Sequence, residues 1–268
     1  MRHVSILAIS LGLTRALPDE LATWACRALL LLYLFVTPGV RREIALNLHR
    51  LFPELSANGH HSFRLFWMRQ AWRLGANLAL MVRIGRPALN KLLDNAVING
   101  ENIVEQIMLQ KGRVVVLSLH YGLWELLPQV FAHRGYPVCV GMGELRDRAF
   151  AERLMELRGS HSVTMTESLA DMRQAVRKGS LVGFVLDNTS RTRGLACDAF
   201  APGLSVLRTP FALARAEQAQ LVPMFIYQDR NVLRVEVQAP VASEQEFGLR
   251  ARELVRRRPE DWVFWGKN

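Results

Sequence analysis

The sequence predicts an α/β protein with a mostly parallel central sheet flanked by helices, preceded by an N-terminal helical region that contacts a membrane. Three observations carry this prediction. Strand-like and helix-like stretches alternate from residue 97 to the end of the chain, the order that builds βαβ units. Val114 to Leu119 is a β-branched apolar run without polar alternation, as expected of a strand covered on both faces. Before residue 40 the chain is dominated by two apolar runs. The expected division is therefore an apolar helical anchor or hairpin over 1–40 and a catalytic-type α/β domain over 41–268.

The 268 residues suffice for one large or two small domains with a substantial core, and half of them are hydrophobic, which excludes disorder as the main state. The formal net charge of +10 implies an acidic partner: an anionic lipid surface, an acidic carrier protein, a phosphorylated substrate or nucleic acid. Nucleic acid fits least, because no zinc spacing, RNP motif or basic-aromatic interleaving accompanies the charge. Cys26, Cys139 and Cys197 are odd in number and far apart. They suggest no disulfide framework and no metal site, and they fit a reducing compartment.

Taken in order, Val4 to Leu13 resembles a short signal-like apolar segment without a clean cleavage site. The next run, Leu21 to Val36, is interrupted by Arg27 and closes at Thr37-Pro38-Gly39. Neither reaches the roughly 20 residues of a simple membrane span. A hairpin, an interfacial helix with Arg27 snorkelling, and a buried core helix all remain open. Helices are expected over 41–51, stopped by Pro53, and over 60–84, where arginines lie among aromatic residues. Beyond Pro87 the pattern reads strand 97–99, helix 101–109, strand 114–119, helix 124–133 and strand 138–140. Helices at 147–157 and 169–178 surround a weak strand near Val163, followed by strand 181–186 ending at Asp187. Helix 210–218, strands 221–227 and 232–237, and helix 244–258 complete the reading.

The chemistry is expected at the end of the apolar strand, in His120-Tyr121-Gly122-Leu123-Trp124-Glu125. A strand's carboxyl end is where open α/β sheets place their ligand sites. On one continuous helix His120 and Glu125 would diverge by about 140°. With His120 in the loop and Glu125 in the first helical turn, the carboxylate can fold back onto an imidazole nitrogen. That is a base with its orienting group and no nucleophile beside it. The bland alternative is a strand-end histidine and an ordinary helix-start glutamate. Gly141-Met142-Gly143 lacks the third glycine of a dinucleotide loop.

An ordered series of motifs resembles the bacterial lipid A biosynthesis acyltransferases, the late lauroyl and myristoyl branch of the lysophospholipid acyltransferase-like superfamily. It begins with Arg41-Arg42, Asn47-Leu48 and Phe52-Pro53-Glu54, and passes through Asn99-Gly100-Glu101-Asn102 to the His120 to Glu125 motif. Arg158, Leu186-Asp187-Asn188, Leu221-Val222-Pro223 and Arg258-Pro259-Glu260-Asp261-Trp262 follow in the family's order. The resemblance implies a membrane-associated acyltransferase with His120 as general base oriented by Glu125, and with Arg158, Asp187 and Gly122 on the substrate side, where the backbone N–H groups at the Gly122 turn, or Arg158, are candidate donors to an oxyanion. It implies acyl carrier protein or coenzyme A as acyl donor, a glycolipid acceptor, anionic lipids as partners, no metal and no further cofactor. The implied location is the inner membrane with the catalytic domain facing the cytoplasm. The chain departs from the family pattern at Leu123, where asparagine is usual, in the loop Phe200 to Pro210, and in the reduced terminus Phe264 to Asn268. Those departures leave open another lipid or metabolite acceptor, or a lipid-binding relative without catalysis.

Overall fold

The computed structural model describes residues 16–53, 63–81, 83, 87–141, 163–189, 194–230 and 232–263. The segments read from sequence at 4–13 and 147–157 lie outside these, as do Arg158 and the terminus beyond Val263. Helix α1 (Asp19–Val36), α2 (Pro38–Leu51) and α3 (Phe63–Met81) precede α4 (Pro87–Asp94), β1 (Val97–Asn99) and α5 (Glu101–Leu109). Strand β2 (Val114–Ser118) leads through a 3₁₀ turn (Trp124–Leu126) into α6 (Leu127–His133), and β3 (Val138–Gly141) follows. Then come β4 (Val163–Thr166), α7 (Leu169–Arg177), β5 (Leu181–Val185), β6 (Gly194–Ala196) and β7 (Ser205–Leu207). The chain closes with α8 (Thr209–Glu217), β8 (Gln220–Asp229), β9 (Val232–Val237), α9 (Glu244–Arg257) and a 3₁₀ turn (Pro259–Asp261).

Seven strands form one sheet in the order β1-β9-β8-β2-β5-β3-β4. Every pairing in it is parallel except β8 with β9, so the mostly parallel sheet expected from the sequence is present. The centre falls on β2, whose five residues are all buried. Side chains alternate across a strand, and β2 divides accordingly. Val115, Leu117 and Leu119 join the core that contains Phe211 of α8 and Phe247 of α9. Val114 and Val116 join a second core with Val104 of α5 and Val130 of α6. An alternating strand could not have satisfied both layers, which is why the apolar run is continuous.

The helix expected over 124–133 is divided. Pro128 follows immediately after Leu127, the first residue of α6, and the preceding turn tightens to 3₁₀. The segment Phe200 to Pro210, read as a loop, contains strand β7, which pairs antiparallel with β6. Leu207 N–H donates to Leu186 C=O at 3.0 Å, docking this hairpin beside the end of β5.

Helix α1 packs along α3. Gly75 allows the approach: a Cβ there would lie 2.7 Å from Arg27 Cα. The Arg27 guanidinium lies over the Trp72 ring, 4.2 Å from its centroid, a cation–π contact. α1 also exposes apolar side chains, with Leu29, Leu32, Phe35 and Val36 among them. No single helix among the described residues is long and apolar enough to cross a membrane, although α1 and the segment Pro38–His49 pass together as a pair bent by 92°.

At the end of the sheet away from His120, Glu217 ties three elements together. Its carboxylate accepts from Arg173 Nε and Arg177 Nε of α7, each at 2.7 Å, and Arg113, just before β2, reaches it at 3.9 Å. The guanidinium groups themselves cover it. Hydrogen bonds from Arg177 and Arg173 hold the carboxyl down to about 2, from an ordinary 4.5. A lowered folded value means that this stabilisation is present in full above about pH 4.5 and is lost as pH falls toward 2. Thermal midpoints between pH 6 and pH 2.5 are expected to fall less steeply for Glu217→Gln than for the wild type. Parallel slopes would show that the network carries no acid sensitivity.

Candidate active site

The register of β2 against β5 decides which side chains meet. Ser118 pairs with Val185, so His120 and Asp187 each stand two residues beyond the same rung, side by side at the carboxyl edge of the sheet. The Asp187 carboxylate is 1% exposed and lies 2.7 Å from His120 Nδ1. It also accepts the backbone N–H of His120, 3.1 Å from both oxygens. The Trp262 indole N–H donates to its other oxygen at 2.8 Å. A carboxylate surrounded by N–H donors acts only as an acceptor, so Nδ1 carries the proton and Nε2 is the basic nitrogen.

Asp187, expected on the substrate side, places a carboxylate on Nδ1. Glu125 accepts from the Trp124 indole N–H at 3.1 Å. The Trp124 ring in turn packs edge-on against the imidazole, with centroids 5.3 Å apart. His120 is the second residue past the end of β2, and the following turn is 3₁₀ rather than α. The neighbouring parallel strand meanwhile brings Asp187 to the ring directly.

Backbone contacts fix the Gly122 turn. Its φ is +58°, and a Cβ would lie 2.1 Å from the carbonyl oxygen of Ile226. Its N–H donates to Asp261 C=O at 2.8 Å, and its own C=O accepts the Asn77 amide at 3.1 Å. The N–H of Tyr121 is spent on Leu119 C=O and that of Leu123 on Ile226 C=O. With His120 N–H on Asp187, the amides from His120 to Leu123 all have acceptors within the protein. Arg158, the other candidate, lies outside the described residues. Leu123 is fully buried in the second core, so its side chain does not face an acceptor.

Behind the turn runs the segment after α9. Asp261, 1% exposed, accepts from Arg73 Nε at 2.8 Å and Arg258 Nε at 3.1 Å. Both arginines also donate to Gln228 C=O. Gln70 donates to Trp262 C=O at 2.9 Å, and Val263 N–H donates to His120 C=O at 2.9 Å. Gln70, Arg73 and Asn77 share one face of α3 at i, i+3 and i+7 spacing. That polar stripe in an apolar helix was the available signal for this support. Of the basic residues near the end of α9, Arg258 is spent internally and Arg252 lies over the Phe52 ring. Arg250, Arg256 and Arg257 are exposed and paired with glutamates.

Tyr121 is buried beside this cluster, and its hydroxyl has no hydrogen-bond partner among the described residues. Burial first, and the Asp261 charge second, push the phenol well above its ordinary 10, which keeps it neutral. Leaving a buried hydroxyl unpaired costs stability. Tyr121→Phe is therefore expected to unfold at or slightly above the wild-type temperature, with activity within about twofold despite its place next to His120. A large loss of activity would show that the hydroxyl acts in the site.

A parallel sheet with a carboxylate-held imidazole at its carboxyl edge defines an α/β protein equipped to move a proton from a bound group. The chain matches the model of the family Bacterial lipid A biosynthesis acyltransferase over residues 2–265. It belongs to that family and is an acyltransferase. Among solved structures it is similar to the 1-acyl-sn-glycerophosphate (LPA) acyltransferase PlsC from Thermotoga maritima. The identity is 14%, with 90% of this chain and 95% of that chain covered and a TM-score of 0.38. None of the curated proteins matches the chain.

Proposed function

We propose that this acyltransferase moves a fatty acyl chain from acyl carrier protein, or from coenzyme A, to a hydroxyl of a lipid A precursor or similar glycolipid. The observation that carries the reading is the His120–Asp187 pair in a chain of this family. Nε2 takes the acceptor hydroxyl's proton as its oxygen attacks the thioester carbonyl carbon. The tetrahedral intermediate then collapses, the C–S bond breaks, and the thiolate leaves with the proton returned by the imidazolium. Asp187 holds the tautomer that makes Nε2 the base and stabilises the imidazolium between the two steps. Glu125 accepts from Trp124, whose ring packs against the imidazole.

The exposed apolar side chains of α1 support a helix lying in the membrane interface, where a lipid acceptor is found. The net charge of +10 favours approach to anionic lipids and to an acidic carrier protein. The test uses the full-length protein in mixed micelles with acyl carrier protein bearing a labelled acyl chain and a lipid A precursor. Transfer is expected, and His120→Ala is expected to lower it by about 10²–10⁴-fold. Undiminished transfer by that variant would sink the mechanism. An unchanged lipid A acylation pattern in a deletion strain would exclude this acceptor while leaving acyl transfer intact.

A further inference from the structure

We propose that Trp262 is a positioning residue of the reaction, acting through Asp187, and that the segment Arg258 to Val263 therefore belongs to the catalytic apparatus. The inference rests on the acyl-transfer reading above but concerns a different residue and a different contact. The two Asp187 oxygens are divided between two ring donors. Oδ1 lies 2.7 Å from His120 Nδ1 and Oδ2 accepts the Trp262 indole N–H at 2.8 Å. The His120 backbone N–H sits 3.1 Å from both oxygens and so does not choose between them. The indole does choose: it occupies one oxygen and leaves the other directed at the imidazole.

The indole is itself held from several sides. Its ring is 2% exposed and packs edge-on against Phe200, with centroids 5.2 Å apart. Its carbonyl accepts from Gln70, and the adjoining Val263 N–H donates to His120 C=O. Tyr121 and Trp262 form an antiparallel bridge, and one residue earlier Asp261 C=O accepts from Gly122. The segment is thus laced along the turn that carries the base, so its position and that of His120 move together. Fixing a base to within a fraction of an ångström is the purpose such outer contacts serve.

The experiment replaces Trp262 in the full-length protein in two ways: by phenylalanine, and by benzothienylalanine, whose sulfur takes the place of the N–H while the ring shape is kept. With acyl carrier protein thioester as substrate, both replacements are expected to lower kcat by about 10–100-fold with KM for the thioester unchanged. This is the range seen when outer hydrogen-bond partners of metal-bound histidines are removed. In an Asp187→Ala background the indole has nothing left to hold, and Trp262→Phe is expected to cost less than about twofold. Wild-type kcat with the sulfur analogue, or an undiminished Trp262→Phe effect in the Asp187→Ala background, would overturn the proposal. Should the wild type transfer no acyl chain, the acyl-transfer reading fails by itself. The ring Nδ1–H signal of His120 in protein labelled with ¹⁵N-histidine then still decides. Sharp in the wild type and lost with the analogue supports positioning; unchanged with the analogue refutes it.

Discussion

Asp187→Asn is expected to lower kcat for acyl transfer by about 10²–10⁴-fold, with little change in KM. The carboxylate accepts from His120 Nδ1, from the His120 backbone and from the Trp262 indole at once. An asparagine side chain has one acceptor oxygen and one NH₂ group, and cannot satisfy three such donors. If the NH₂ turns toward His120, Nδ1 must accept and the proton moves to Nε2, which leaves no base toward the acceptor. If the oxygen turns toward His120, the NH₂ faces the indole N–H, donor against donor, and the imidazolium loses its counter-charge. The substitution keeps shape, so the effect belongs to the tautomer and charge, as in serine hydrolase triads where the same exchange costs about 10⁴-fold. Steady-state kinetics of Asp187→Asn, His120→Ala and the double variant check it. Residues acting as one unit give a double variant hardly worse than the worse single one. An effect confined to KM would refute the orienting role.

How much of this was legible in the sequence follows from the distance over which each contact acts. The strand at Val114 could be read because both faces of a buried central strand demand apolar residues, and its end at His120 followed. Asp187 was visible as a strand end, but its meeting with His120 depends on the register of β2 against β5, 67 positions apart in sequence. Register between strands joined by long crossovers is a tertiary property. The sequence therefore offered the nearest carboxylate, Glu125, as partner. Trp262 was farther still, 75 positions from Asp187, and stood out only as part of the terminal pattern. The Gly122 turn was readable as a turn. That its amides are consumed by Asp261 and Ile226 was not, because both partners come from β8 and the segment behind it.

Gly122→Ala is expected to damage both stability and rate. At φ +58° an L-residue costs roughly 1–2 kcal/mol, and that cost alone would be tolerable. The Cβ, however, would lie 2.1 Å from Ile226 C=O and 3.1 Å from Tyr227 Cα, and backbone cannot step aside as a side chain can. Strand β8 is held by β2 on one edge and β9 on the other, so the turn must move instead. Overpacking adds about 1–3 kcal/mol, for a total of roughly 2–5 kcal/mol. The displacement stretches the Gly122 bonds to Asp261 and Asn77 and carries His120 with it. A shift of about 1 Å at a reacting group costs on the order of 10²-fold in rate. Gly135 supplies the control: its φ is +87°, and a Cβ there meets nothing within 4 Å. Gly135→Ala is expected to lose about 1–2 kcal/mol and retain wild-type kcat. Unfolding midpoints and kcat for the two variants separate backbone conformation from collision. Equal behaviour of the pair would mean that the close approach to Ile226 does not hold His120 in place.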